Sequence, residues 1–476
     1  MWWIILGIVL LFAAFILVRT LSFKPYDGIE PIESEENFDS QRAVDSLQKL
    51  VQCKTVSYRD ASLEDDAEFE SLINMLPELY PNVHKTCESV TLPDRALLYR
   101  WAGKNKDRAA VMMAHYDVVP VSEENWEKPA FEGIIEDGVL WGRGTLDTKS
   151  TFNAVLSAAD HLIAEGFIPQ QDIYFAFSGC EEINGQGAVN IVDYFEEKGI
   201  KLSFVIDEGG AVVENVFPGV KKPCGLIGIA EKGMMDVVYT AKSQGGHASA
   251  PKPNSPLVSL ARAISNIEHY PTKAHLTVPV DEMFDTLGRH SNFLYKMIFA
   301  NLWLFQPVLD MICKSSGGEI NALMRTTVAF TQSSGSTASN VIPPEATVVS
   351  NIRINPYDTT DSVLEYLKKT VNDGNIDISM LHGINPSRIS KTDCEEYDKV
   401  ARAVLSTWKG TIVSPYLMVQ CSDSRHYGRI SDKVYRFSAM DLTSEERATI
   451  HGNNERIRLE TIKKSVEFYI RLMRQC

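Results

Sequence analysis

Residues 109–120 read AAVMMAHYDVVP. Six small or apolar residues in a row have the length and composition of a strand buried on both faces. They run directly into His115 and Asp117. The same grammar repeats downstream. Phe152–Ile163 carries Phe152, Val155, Leu156 and Ala159 on one helical face, and Ile173–Phe177 and Phe204–Ile206 are further short apolar runs. Alternation of strand and helix at this spacing predicts an α/β fold, a mostly parallel central sheet with helices on both faces.

Each predicted strand is followed by polar chemistry. Asp147 lies in WGRGTLDTKS, Glu181 and Glu182 in FSGCEEINGQG, and Asp207 in FVIDEGG. Gaps of 32, 35 and 25 residues separate His115, Asp147, Glu182 and Asp207. Each gap is the length of one strand–helix–strand step. The carboxyl ends of parallel strands lie together, so these side chains are expected to converge in one crevice. A lone Asp after a strand is usually a helix cap or a turn residue. Clustered carboxylates repel one another unless cations hold them, and an N/O donor set of this kind suits divalent metals such as Zn²⁺. With one carboxylate bridging, the set suffices for two ions, which together polarise a carbonyl and generate hydroxide near neutral pH.

A second pattern begins after Lys232. Strands are expected at Met235–Thr240, Val328–Gln332, Thr347–Ile354 and Ile376–Leu381, with helices at Pro256–Ile267 and Ser362–Val371. That β-α-β-β-α-β order is a split βαβ layer. It reads as an inserted lid, because chemistry-bearing sequence resumes at Ser422–Tyr427 and His451. Inside it lies FLYKMIFANLWLFQPVLDMIC, residues 293–313, punctuated by Lys296, Asn301, Gln306 and Asp310. The punctuation argues against a membrane span and leaves a helical hairpin or substrate-facing cap beside an ordinary core helix.

The N-terminus departs from a plain soluble enzyme. Residues 2–18, WWIILGIVLLFAAFILV, carry no charge, and as a helix they extend about 26 Å, near the lower limit for a bilayer. Arg19 and Lys24 are placed to reach headgroups. No basic stretch precedes the run and Val18-Arg19-Thr20 is a poor cleavage site, which favours a single-pass anchor over a cleaved signal. The positive-inside rule weakly favours a cytoplasmic body, and its side stays open. The expected organisation is an anchor over 1–23, a linker over 24–40, a catalytic domain over 41–233 and 383–476, and the inserted domain over 234–382.

The 476 residues hold 62 acidic and 47 basic side chains, a net charge of −15, which argues against a nucleic-acid partner. The eight cysteines form no C-x-x-C pair and read as isolated thiols, with widely spaced disulfides left open. The single N-x-[ST] match, Asn385-Pro386-Ser387, is blocked by its proline. There is no G-x-S-x-G elbow, no phosphate loop and no H-E-x-x-H helix.

HYDVVP, GRGTLDTKS, EEINGQGA, DEGG, GGHASAP, NVIPPEA, RINP, SDSRHY and HGNNER follow one another along residues 40–476. In that order they resemble the dinuclear-zinc metallopeptidases of the aminoacylase, carboxypeptidase G and carboxypeptidase S family. NALMRTT, FANLWLF and the long insertion are most similar to the carboxypeptidase S and N-fatty-acyl-amino-acid synthase/hydrolase branch. The resemblance implies two Zn²⁺ per subunit. His115 and Asp207 would bind one, Glu182 and His451 the other, with Asp147 bridging. It implies that Asp117 orients His115 through its second ring nitrogen and that Glu181 is the general base for a metal-bridging water. His247 would reach a partner subunit's site through a dimerising lid and stabilise the oxyanion, while Asn340 and Arg353 would hold a substrate carboxylate. Thr148, Ser150 and Cys180 depart from residues common in the family, without removing a ligand. The implied activity is hydrolysis of N-acyl amino acids or short peptides with a free carboxylate. A Gly-x carboxypeptidase or dipeptidase is the nearest alternative, and a catalytically silent membrane-tethered binding protein the more distant one.

Overall fold

A computed structural model describes residues 1–476 apart from Asp27 and Pro218. Its largest unit is an eight-stranded sheet. In spatial order the strands are Glu88–Leu92, Ala96–Trp101, Gln171–Ser178, Asn105–His115, Leu202–Val213, Val434–Leu442, Cys224–Glu231 and Ile412–Met418. The four middle strands, Gln171–Ser178 to Val434–Leu442, run parallel to one another. An antiparallel pair closes one edge. On the other, two mutually parallel strands run opposite to the middle four.

Strand periodicity explains why helices cover both faces. Along Asn105–His115, Ala110, Met112 and Ala114 enter one core with Phe152, Val155, Val400, Val466 and Tyr469. Ala109, Val111 and Met113 enter another with Ile191, Val192 and Phe195. Side chains that alternate across a strand feed two layers at once. Helix Lys149–Ala164 is buried around most of its circumference, because helix Leu459–Met473 covers the side turned away from the sheet.

A second sheet of four antiparallel strands has the order Thr327–Ser334, Glu345–Ile354, Gly233–Lys242, Ile376–Ile384. Helices Pro256–His269 and Thr360–Val371 cover one face, enclosing Met235, Val237, Tyr239, Leu260, Ile352 and Leu367 in a core of their own. The chain crosses between the sheets at Glu231–Gly233 and returns after Ile384. Within the expected inserted range, the helical segment behaves differently. Val280, Met283, Phe284, Leu287, Phe299 and Met324 pack against Val213, Leu226, Tyr416 and Met418 of the large sheet.

That segment resolves the apolar stretch 293–313 into two helices, Phe293–Ala300 and Leu302–Ser316, broken at the buried Asn301. The N-terminal helix spans Trp2–Ser22, a length of about 31 Å that matches a bilayer core of about 30 Å. It is the one helix among the described residues long and apolar enough to cross a membrane. Arg19 differs from its expected headgroup role. Its guanidinium donates to Ala300 O at 2.9 Å and to Asn301 Oδ1 at 3.2 Å, which docks the helix end onto the body. The segment expected as a linker also rests on the body, through Ile32 N to Ser406 Oγ at 2.8 Å and Glu36 beside Arg474 at 3.3 Å. All eight cysteines are free.

Candidate functional site

The sheet delivers its polar residues to one crevice. His115 ends a middle strand, and Glu181 and Glu182 form a short turn after the neighbouring strand. Asp147 precedes helix Lys149–Ala164. His451 arrives from the far C-terminal segment in a left-handed backbone conformation, φ 58°. Asp147 sits between the two imidazoles. Its Oδ1 is 3.0 Å from His115 Nε2 and its Oδ2 is 3.0 Å from His451 Nε2. His451 Nε2 is also 3.1 Å from Glu182 Oε2. The donor atoms of His115, Asp147 and Glu182 lie within 4.8 Å of one another, as do those of His115, Glu181 and Glu208.

Asp117 has a different set of partners from the one expected. The near partner of His115 Nδ1 is the Asp117 main-chain carbonyl at 3.0 Å, with the carboxylate at 3.4 Å. The carboxylate accepts from Glu181 N and Glu182 N, both at 3.1 Å, and from Ser57 Oγ at 2.6 Å. One buried residue thus orients the imidazole through its backbone and both glutamates through its side chain.

Asp207 and Glu208 are neighbours in one strand and face opposite ways. Asp207 is buried and accepts from Ser424 N at 3.0 Å, whereas Glu208 Oε2 lies 3.6 Å from His115 Nε2. Sequence reasoning passed over Glu208, because the resemblance assigned the metal-ligand role in DEGG to its neighbour Asp207. It also passed over Glu455. Wholly buried, Glu455 accepts from Leu146 N at 2.7 Å, Asp147 N at 3.2 Å and Arg143 Nη1 at 2.6 Å, and so holds the backbone that presents Asp147. The signal was its place in HGNNER, four residues after His451. Arg425 in SDSRHY is a third. Its Nε donates to Ser422 O at 2.8 Å while Nη1 is buried with no partner.

Electrostatics mark this crevice. Burial pushes Glu181 well above the usual carboxylate range, with His115 opposing and Glu208 adding to the rise. Glu208 is raised by burial and by Asp147, and Asp423 is raised to about 7 by burial and Asp207. Burial also acts to raise Asp147, but the hydrogen bonds from His115 and His451 outweigh it and hold it below the normal range. His451 is raised to about 10 by its hydrogen bonds to Asp147 and Glu182. Buried carboxylates crowded in this way require positive charge. Glu182 Oε1 is buried without a hydrogen-bond partner, and each oxygen of Asp147 faces a different imidazole. The donor set fits a divalent metal ion.

A cavity of about 660 Å³ adjoins the cluster, with Asp147, Glu181, Glu182, Glu208 and His451 in its wall. The rest of the lining includes the apolar side chains Phe217, Met283, Phe284, Leu323, Met418 and Met440 beside polar groups such as Glu214, Glu319 and Arg447.

The model of Peptidase family M20/M25/M40 matches residues 111–475, from inside the first site-bearing strand to the end of the last helix. The chain belongs to this family. It is therefore a hydrolase of the M20 type, and the family is metal-dependent. The chain is 32% identical to a probable carboxypeptidase S-like 2 of Dictyostelium discoideum, over 99% of this chain and 92% of that one. It is 33% identical to an N-fatty-acyl-amino acid synthase/hydrolase of Xenopus tropicalis, over 98% and 93%. An M20 family metallo-carboxypeptidase from Sulfolobus solfataricus shares the fold, with a TM-score of 0.62 at 19% identity over 91% of this chain and 98% of that one.

In this M20 enzyme the remaining predicted residues lie away from the cluster. His247 and Asn340 stand exposed on a small ribbon of the lid, where Ala248 N donates to Asn340 O at 2.9 Å and His247 Nδ1 meets Ser249 Oγ at 2.8 Å. Arg353 is half-buried at the junction of the two sheets. Its Nη1 lies 3.6 Å from Sγ of Cys421, which lines the catalytic cavity.

Proposed function

We propose that this enzyme hydrolyses the amide bond of N-acyl amino acids that carry a hydrophobic acyl group and a free carboxylate. The observation that carries the reading is the cavity, which joins the carboxylate cluster to an apolar wall of Phe217, Met283, Phe284, Leu323 and Met418. An acyl carbonyl set at the cluster leaves its chain in the apolar part, where burial is favourable. The N-fatty-acyl-amino acid synthase/hydrolase named among its relatives supports the same substrate class.

Two zinc ions would be held by His115 with the Asp207–Glu208 pair, by Glu182 with His451, and by Asp147 between them. The side-chain directions favour Glu208 as the acidic donor beside His115. Bound there, the ions supply Lewis-acid polarisation of the acyl carbonyl and a lowered pKa for water. Glu181 takes a proton from the attacking water as its oxygen bonds to the carbonyl carbon. It then delivers that proton to the leaving amine nitrogen as the C–N bond breaks. A carboxyl group raised by burial is suited to carry a proton in both directions. Asp117 keeps Glu181 in position through its main-chain N–H. Arg353, at the cavity edge, is placed for the substrate carboxylate.

His247 and Asn340 serve the site of a second copy, paired through the lid, which accounts for two polar residues exposed far from their own cluster. The helix Trp2–Ser22 anchors the body to a membrane. Its length and nearly complete exposure support this reading over a core helix.

The test is a rate comparison on the detergent-solubilised, zinc-loaded full chain. N-oleoyl-phenylalanine is expected to turn over at least tenfold faster than carbobenzoxy-Gly-Leu. The opposite ranking would mark the enzyme as a Gly-x carboxypeptidase. No hydrolysis of either, with no zinc retained, would leave the binding-protein reading.

A further inference from the structure

One apolar surface is left over by the fold. Helix Leu302–Ser316 turns Cys313 inward, fully buried, and Leu309 against the body. On its outer side Trp303, Leu304, Val308, Met311 and Ile312 are all exposed, Met311 at 62%. Positions 304, 308, 311 and 312 recur at the three- and four-residue spacing that lines one helical face. A helix that is apolar on both sides is buried on both sides in the working molecule.

What covers the outer side is indicated by its neighbour. The helix begins against the N-terminal helix, where Phe12 and Phe15 meet Trp303 edge-on at centroid distances of 6.2 and 6.4 Å. The junction is fixed by polar contacts. Arg19 donates to Ala300 O, Asn301 Nδ2 reaches Thr20 Oγ1 at 3.4 Å, and Thr20 is wholly buried. The anchor and the exposed face are therefore continuous, and whatever solvates Phe12 and Phe15 also reaches Trp303.

We propose that the outer face of helix Leu302–Ser316 inserts into the lipid interface beside the anchor, so that two contacts hold the body on the membrane. The inference rests on the anchor reading above. It joins the membrane to the catalytic cavity, because Phe299, in the helix against the anchor, packs on Phe217 at 4.7 Å and on Phe284 at 5.2 Å, both cavity-lining residues. A membrane-dissolved N-acyl substrate then meets the enzyme on the side where the apolar cavity wall is built. Interfacial helices act in this way, burying an apolar face at the headgroup–acyl boundary.

The experiment reconstitutes the full chain in phosphatidylcholine vesicles doped with a phosphatidylcholine that carries a photoactivatable diazirine in mid-chain, and maps lipid adducts by mass spectrometry. Adducts are expected on peptides covering residues 2–22 and on those covering 302–312. The triple variant Val308→Ser, Met311→Ser, Ile312→Ser should lose at least fivefold of the second set and keep the first. It should also slow hydrolysis of vesicle-dissolved N-oleoyl-phenylalanine at least fivefold, with turnover of a soluble short-chain N-acetyl amino acid unchanged. Should the triple variant fail to fold, Met311→Ser alone is read for loss of adducts at that residue. Adducts on 2–22 with none on 302–312 overturn the proposal and leave the anchor standing. Protein–protein cross-links at 302–312 from photo-methionine incorporated into the chain, in place of lipid adducts there, overturn it in favour of a second copy. Adducts on 302–312 alone support the lipid contact and overturn the anchor, and adducts on neither overturn both.

Discussion

The crevice at the strand ends and the ribbon of the lid each hold residues of the same motif series, and the fold treats them in opposite ways. His115 and His451 lie more than 300 residues apart in the chain, yet Asp147 has an oxygen 3.0 Å from each, and Glu182 lies 3.1 Å from His451. His247 pairs with Val341, the residue after Asn340, yet both His247 and Asn340 stay at the surface. A cluster of charges is assembled only where a sheet and its helices hold the backbone on every side. The imidazole on the two-stranded ribbon has its neighbour Ser249 and solvent as partners. The comparison separates a polar cluster assembled within one chain from residues that, in the proposed dimer, would serve the site of a second copy.

The largest expected effect breaks the first half of that comparison. Glu181→Gln should lower turnover by about 10³-fold while zinc content stays at the wild-type level by elemental analysis. Near-normal rates would remove Glu181 from the mechanism. Next, His247→Ala should cost about 10²-fold in kcat. Mixing it with Glu181→Gln should restore activity, since one site of the mixed dimer combines an intact Glu181 with the partner's intact imidazole. If mixing recovers nothing, the lid histidine does not act between copies.

Metal affinity supplies the next, smaller effect. Glu455→Gln should weaken zinc binding by about 10- to 100-fold, read by competition with a chelator, because the carboxylate that orients the Asp147 backbone is lost. Comparing Asp207→Asn with Glu208→Gln sharpens the assignment. Zinc loss confined to the Glu208 variant agrees with the geometry, and loss confined to the Asp207 variant would reverse it. The smallest effect concerns the cavity. Met440→Trp should lower kcat/KM about tenfold for an oleoyl substrate relative to an acetyl one, and an unchanged ratio would place the acyl chain elsewhere.

Much of this centre was legible before any coordinates. AAVMMA ends at His115 because a strand buried on both faces has no polar residue to spare until it emerges, and the gaps to Asp147 and Glu182 follow from the length of a crossover. Other features were not legible. The family resemblance singled out Asp207 in DEGG, whereas the pleat of the strand turns its neighbour Glu208 toward His115 and ties Asp207 to Ser424. The stretch 293–313 read equally as hairpin, cap or core helix. Its answer lay in Asn301, whose buried amide breaks the run by meeting Thr20 from the other end of the chain. Arg19 had every local mark of a headgroup contact, and a carbonyl 281 residues away took it instead.

The sequence alone determined the α/β class, the inserted layer and the chemical types at the crevice. These depend on periodicities of two and 3.6 residues and on motifs a few residues long, which are local properties. The tertiary structure decided which of two adjacent carboxylates faces the imidazole, which buried glutamate supports the bridging aspartate, and where the apolar helix turns its outer side. Those outcomes depend on contacts between segments that the chain holds far apart, so their energies appear only when the backbone closes.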